Sequence, residues 1–181
     1  LKRRTVEVPV PEPNLGFAAL NIQKKNSWAV SAQVFRFLSE GYDVLFLTEV
    51  NTDIDLPFPF NHGPHSARCS FHLGPGNTNG AGLIVSARVK NYIEFIPSPE
   101  SQGLLCMAKL TLPGCPSVLL CSVYAPQAQK SFLEGHLDTL LRQHPFVFFG
   151  GDFNTVLQFG LDSEGIKVPN PWPWLSTQIF G

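Results

Sequence analysis

The chain has 181 residues and a mass of 20.0 kDa, the size of one ordinary domain with room for a buried core. Hydrophobic residues make up 44% and charged residues 15%, against a usual charged share of about 25%, which excludes a disordered chain. A net charge of −1 supplies no global basic field, so a nucleic-acid partner has to be met by local groups.

Residues 1 to 13 read as an arm, with Lys2, Arg3 and Arg4 ahead of Pro9, Pro11 and Pro13, which favour an extended path. Leu15 to Asn21 has the apolar content of a strand. Asn26 or Ser27 then suits the cap of a helix from Trp28 to Glu40, with Ala29, Val30, Val34, Phe37 and Leu38 near helical period and Gly41 as its stop. Val44 to Thr48 is a continuous apolar run, the mark of a buried strand. Residues 51 to 80 carry Pro57, Pro59, Pro64 and Pro75 among glycines and polar side chains and read mostly as loop, with a strand at Cys69 to Leu73.

Further strands are expected at Gly82 to Ser86, Tyr92 to Ile96, Leu104 to Thr111 and Val118 to Tyr124, with turns at Pro97-Ser98-Pro99 and Pro113-Gly114. A helix from Ser131 to Arg142 presents Phe132, Leu133, His136, Leu137, Leu140 and Leu141 as one apolar face. Phe146 to Phe149 makes another strand. Beyond Asn154 the pattern thins, and Pro169, Pro171 and Pro173 suggest loop. Strands interspersed with a few helices predict a layered α/β or α+β fold. The longest apolar runs fall far short of the ~20 residues that cross a bilayer, and the opening residues do not read as a secretory leader. Cys69, Cys106, Cys115 and Cys121 form no CxxC pair and read as free thiols in a reducing compartment.

The chemistry gathers at the carboxyl ends of the apolar strands, which deliver Asn21, Glu49, Tyr124 and, through Gly150-Gly151, Asp152 and Asn154. Ligand sites in layered α/β proteins favour that edge. Any one of these residues merely ends a strand, as Asn and Asp often do. Glu49, Asp152 and Asn154 together favour a site, because a carboxylate directly after a buried apolar run is costly without a partner. Two separated carboxylates with an amide nearby suit a hard divalent cation such as Mg²⁺, which takes oxygen ligands and keeps waters for a substrate phosphate.

Leu20-Asn21-Ile22, Leu45-Phe46-Leu47-Thr48-Glu49, Gly80-Ala81-Gly82-Leu83, Val123-Tyr124-Ala125-Pro126 and Gly150-Gly151-Asp152-Phe153-Asn154 resemble, in order, the motifs of the endonuclease/exonuclease/phosphatase superfamily. The run Gly151 to Leu157, followed by Leu161-Asp162-Ser163, is most similar to the endonuclease domain of non-LTR (long interspersed) retrotransposons. The resemblance implies a four-layered sandwich of two β-sheets flanked by helices, with metal-dependent phosphodiester hydrolysis at one edge. It assigns Glu49, with Asn21 beside it and Asp152 opposite, to a Mg²⁺ or Mn²⁺ ion. Asp152 orients or activates the attacking water, Asn154 contacts the scissile phosphate, and Tyr124 stabilises the charge that builds there. Lys24 and Lys25 are candidates for contact with a nucleic-acid backbone.

Thr48 stands where many relatives carry Gln. The family's later Asp beside a Trp-Arg pair, its Arg-Ile-Asp-like strand and its Ser-Asp-His motif are absent from this sequence. The expectation is therefore the N-terminal and central part of such a domain over residues 14 to 181, impaired or inactive as a fragment. The resemblance implies DNA as substrate, nicked to prime reverse transcription, with a reverse-transcriptase region in the same polyprotein, no membrane partner and a nuclear place of action. The alternatives are an abasic-site nuclease, an RNA deadenylase-like enzyme, an inositol or lipid phosphatase, or a degenerate non-catalytic remnant.

Other features carry less. His62, His65, Cys69 and His72 have spacings compatible with zinc, but the second pair of known zinc patterns is missing. Gly74-Pro75-Gly76 lacks the Lys-Ser/Thr of a phosphate loop and reads as a turn. His136 and His144 read as packing or capping groups, and Trp172 and Trp174 as anchors for the tail.

Overall fold

A computed structural model describes residues 14–23, 27–51, 67–74 and 78–154 of the chain. Strand β2 (Val44–Val50) shows how the layers arise, because its side chains alternate between two cores. Val44 and Phe46 enter a core shared with the second sheet, while Leu45 and Leu47 lie under helix α1 (Ser27–Ser39), against Val30, Val34 and Leu38. A strand buried on both faces needs no polar positions, which is why Val44 to Leu47 is an uninterrupted apolar run.

The first sheet has the order β1-β2-β4-β3, with β1 (Phe17–Asn21) parallel to β2, and β4 (Thr78–Val85) antiparallel to both β2 and β3 (Arg68–Gly74). The second has the order β5-β6-β7-β8. In it β5 (Ile93–Ile96), β6 (Leu105–Leu110) and β7 (Val118–Tyr124) run antiparallel, and β8 (Val147–Asp152) runs parallel to β7. Cys106, Ala108, Leu110 and Leu120 face the first sheet, and Leu105, Met107, Leu119, Cys121 and Val123 pack with helix α2 (Lys130–Gln143) through Leu133 and Leu137. The result is the expected four layers, helix, sheet, sheet and helix. Both parallel pairs are joined through a helix, so the carboxyl ends of β1 and β2 match those of β7 and β8.

Helix α1 ends as its sequence dictates. Gly41 adopts φ +92°, the Tyr42 N–H donates to Phe37 O and the Gly41 N–H to Leu38 O, while the Phe37 and Tyr42 rings meet at 5.2 Å. Asp43 begins β2 as a buried carboxylate, yet its oxygens accept from the Gly16 N–H (3.1 Å) and the Ser86 hydroxyl (2.9 Å), with Arg88 at 3.5 Å. Burial is tolerated because each oxygen has a partner.

Two strand ends and one helix face depart most from the sequence reading. Strand β4 starts at Thr78, inside the stretch read as loop, because pairing with β3 overrides the turn-like Thr78-Asn79-Gly80. Strand β8 runs to Asp152, past the expected Phe149, since Gly150, Gly151 and Asp152 stay paired with Ser122, Val123 and Tyr124. On α2 the buried face centres on Leu133 and Leu137, leaving Phe132 and Leu141 exposed at its margins. The arm of residues 1 to 13, Lys24, Lys25, His62, His65, Asp162, Trp172 and Trp174 lie outside the described residues.

The two glycines of β8 allow close approach on two sides, Gly150 toward the first sheet and Gly151 toward β7 in its own sheet. A Cβ on Gly150 would stand 2.5 Å from the buried Phe46 ring, and Gly151 holds φ +137° with its missing Cβ directed at Val123 O. The Ser122 hydroxyl donates across the same seam to Leu47 O at 3.0 Å. Gly150→Ala is expected to cost about 1–3 kcal/mol by overpacking, measured by urea unfolding, and Gly151→Ala more, because no L side chain suits that backbone.

No disulfide links the four cysteines. Burial pushes the Cys106 thiol up to about 12 and raises Cys121 further, so both stay neutral at any ordinary pH. Titration with an aromatic disulfide reagent between pH 7 and 9 should find Cys69 and Cys115, which are exposed, in the native protein, and Cys106 and Cys121 only after denaturation.

Candidate functional site

Strands β1, β2, β7 and β8 end together, and side-chain bonds join the ends of β1, β2 and β8. The Asn21 amide nitrogen at the end of β1 donates to Glu49 Oε1 (3.0 Å) and to Asp152 Oδ2 (3.0 Å), so one amide spans both sheets. Its own oxygen accepts the Gln23 N–H at 2.9 Å. That turn fixes which way the amide faces, since the oxygen is already taken and only the NH₂ can meet the carboxylates. Asp152 repeats the device on the second sheet, where Oδ1 accepts the Asn154 N–H at 2.9 Å. Gln23 (φ +48°) and Asn154 (φ +45°) both take the left-handed conformation that closes such turns. Asp152 is thereby clamped through both oxygens, and Asn154 is brought beside it.

Glu49 reaches the cluster by a different route. Thr48 pairs with Ala81 and Val50 with Gly80, so Glu49 is bulged out of the β2–β4 ladder, and it holds φ +57°. For a residue with a long side chain this conformation is uncommon and costs of order 1–3 kcal/mol, which the surrounding strand pairing must sustain. The bulge turns the carboxylate toward Asn21 instead of along the pleat. Thr48, just before the bulge, is buried.

Tyr124 closes β7 in register with Asp152, and Ala125 prolongs the pairing by donating its N–H to Asp152 O at 2.9 Å. The Tyr124 hydroxyl accepts from Asn79 Nδ2 at 3.3 Å. Asn79 is absent from the sequence expectations, although it directly precedes the Gly80-Ala81-Gly82-Leu83 motif. The structure thus brings Asn21, Glu49, Tyr124, Asp152 and Asn154 to one edge.

His72, whose spacing to Cys69 is compatible with zinc, is held inside the protein by hydrogen bonds. Its Nδ1 faces Leu105 O at 2.9 Å and Ser98 Oγ at 2.8 Å, an internal tie between sheets. Among the described residues no three of His, Cys, Asp and Glu converge, so a closed zinc centre has no ligand set there. Asn21, whose oxygen is held by the Gln23 N–H, turns only its NH₂ to the carboxylates, so the oxygen donor set is the pair Glu49 and Asp152, with two charges and no nitrogen or sulfur ligand. It fits a hard divalent cation that binds through one or two carboxylates and retains waters. When bound, such a cation supplies charge neutralisation at a phosphate oxygen.

Fold and site together define an α/β sandwich with an oxygen-donor centre on the carboxyl edge of its sheets. The endonuclease/exonuclease/phosphatase family matches residues 18–175, and the chain belongs to that family of nucleases and phosphatases. Its fold is similar to the endonuclease domain of TRAS1, a telomere-specific non-LTR retrotransposon, at TM-score 0.55 and 17% identity over 76% of this chain and 59% of that one. An AP endonuclease from Archaeoglobus fulgidus is matched at TM-score 0.56 and 19% identity, over 81% of this chain and 60% of that one. D. rerio TDP2 in complex with a single-strand DNA product is matched at 0.54 and 19%, over 80% and 62%. The chain therefore spans about three fifths of each of these structures. No curated protein matches the sequence.

A cation that binds only the folded state raises stability by mass action, by about 2.7 kcal/mol at a hundredfold excess over its dissociation constant. Added Mg²⁺ or Mn²⁺ should therefore raise the thermal midpoint of the wild type. Glu49→Gln should remove most of that rise, whereas Glu94→Gln, on the exposed face of β5, should keep it.

Proposed function

We propose that the chain is a metal-dependent phosphodiester hydrolase and, more narrowly, the DNA-nicking endonuclease domain of a retrotransposon polyprotein. The observation that carries this reading is the Asn21 amide shared between Glu49 and Asp152, which sets two carboxylates side by side at the edge of both sheets. Repulsion between like charges so placed is relieved by a divalent cation or by a proton. The strained Glu49 backbone supports the first, since conformational strain of that kind collects at functional positions.

In this reading Glu49, with Asn21 beside it, holds a Mg²⁺ or Mn²⁺ ion. Asp152, immobilised through both oxygens, orients the attacking water and accepts its proton. The Asn154 amide contacts the scissile phosphate, and the Tyr124 hydroxyl donates to a phosphate oxygen as negative charge develops. Donors fixed before the reaction need no reorganisation during it, which is the source of their effect. Lys24 is proposed as a contact to the DNA backbone.

The narrower assignment rests on the run Gly151-Asp152-Phe153-Asn154-Thr155-Val156-Leu157 with Asp162 beyond it. A reverse-transcriptase region in the same polyprotein and a nuclear place of action belong to that assignment. Abasic-site cleavage is the second reading, favoured by an equally good structural match to an AP endonuclease.

Three substrates given to the full-length domain separate these readings in Mg²⁺: supercoiled plasmid, a duplex with one abasic site, and a small aryl phosphomonoester. The expected result is conversion of the plasmid to open circles, with Asp152→Ala slower by at least about 100-fold. Preference for the abasic duplex would move the substrate to the second reading. Nicking that survives Asp152→Ala would contradict the assignment of the site.

A further inference from the structure

Asn79 does something at this edge that the roles proposed above leave unexplained. It is the second residue of β4, next to Gly80, which pairs with Val50 just beyond Glu49. From the first sheet its Nδ2 donates across the seam to the Tyr124 hydroxyl, 45 residues away in sequence, at 3.3 Å. Its Oδ1 is buried and has no hydrogen-bond partner. A buried amide oxygen left unpaired is unfavourable, and turning the amide over would let it accept the phenol proton. The structure holds the other orientation, with the Tyr124 oxygen as acceptor.

The orientation has a chemical consequence. A phenol has one proton and two lone pairs. An Asn79 N–H on one lone pair fixes the phenol oxygen without consuming its proton. With the amide reversed, the proton would be spent inside the protein. We propose that Asn79 is a positioning residue: it holds Tyr124 by donating to it, so that the phenol proton stays directed at a phosphate oxygen of the substrate. The inference rests on the phosphodiesterase reading of Tyr124 and goes beyond it by naming what aims that hydroxyl. Beside it, Gly80 keeps β4 close on β3, because a Cβ there would overlap His72 O.

The test compares wild type, Asn79→Ala, Asn79→Asp, Tyr124→Phe and Asn79→Ala/Tyr124→Phe by plasmid nicking in saturating Mg²⁺, with kcat and KM separated. Asn79→Ala should lower kcat about tenfold with little change in KM, less than the roughly 100-fold loss expected for Tyr124→Phe. In the Tyr124→Phe background it should have no further effect, because the two residues act as one unit. Asn79→Asp keeps the shape but offers only acceptors, captures the phenol proton, and should be slower than Asn79→Ala. An equal fall in both backgrounds, or no fall in either, would overturn the inference.

A second readout does not depend on nicking. The ¹³Cζ resonance of Tyr124 should move when inorganic phosphate is added with Mg²⁺, and Asn79→Ala should weaken that response while Tyr42 and Tyr92 stay in place. Wild type that responds to phosphate but does not nick DNA would overturn the DNA reading and leave the role of Asn79 standing. A Tyr124 response identical in wild type and Asn79→Ala would overturn the role of Asn79.

Discussion

The Asn21 amide donates to carboxylates that belong to different sheets, and the arrangement of the whole edge depends on that shared donor. Glu49 comes from β2 and Asp152 from β8, so the bond ties the two sheets at the point where their strands end. A neutral donor between two anions lowers their repulsion without cancelling it. In the proposed reading the remaining charge gives the edge affinity for a divalent cation, and the cation would give a polyanionic substrate a reason to approach a chain whose net charge is −1. A near-neutral protein can thus serve an anionic substrate when the positive charge is supplied at one place.

The bond can form only because the sheets approach closely just behind it. Gly150 lies on the Phe46 ring, Gly151 lies on the Val123 backbone, and Ser122 reaches Leu47 O. A side chain at Gly150 would open the seam and separate Glu49 from Asp152, and one at Gly151 would push β8 off β7. The backbone departs from ordinary conformations at the same end of the strands, at Gln23, Glu49 and Asn154. The apolar layers behind them are regular, and their burial supplies the stability that holds these conformations. Asp43 shows the contrast: a buried carboxylate at the opposite end of β2, satisfied within the protein.

The layers were legible in the sequence because burial on one or both faces leaves a periodic trace. Val44 to Leu47 reads as a doubly buried strand and is one, and Gly41 stops α1 as its position foretells. The start of β4 was hidden, since Thr78-Asn79-Gly80 has turn composition and becomes strand only by pairing with β3. Asn21, Glu49, Tyr124, Asp152 and Asn154 were found because each stands at the end of an apolar run. Their bonding was not, for Asn21 and Asp152 lie 131 residues apart and only the packed sheets bring them together. The bulge at Glu49 leaves no trace in composition, and Asn79 looks like any polar residue ahead of a glycine.

Paramagnetic broadening by Mn²⁺ in an amide-resolved NMR spectrum tests most directly whether the carboxyl ends of β1, β2 and β8 form one cation site. At substoichiometric Mn²⁺ the amide signals of Asn21 to Gln23, Thr48 to Val50 and Asp152 to Asn154 should vanish first. Those of Phe17, Val44 and Val147, at the other ends of the same strands, should persist. Loss of signal centred anywhere else, or spread evenly over acidic surface residues such as Glu94 and Asp138, would contradict the account.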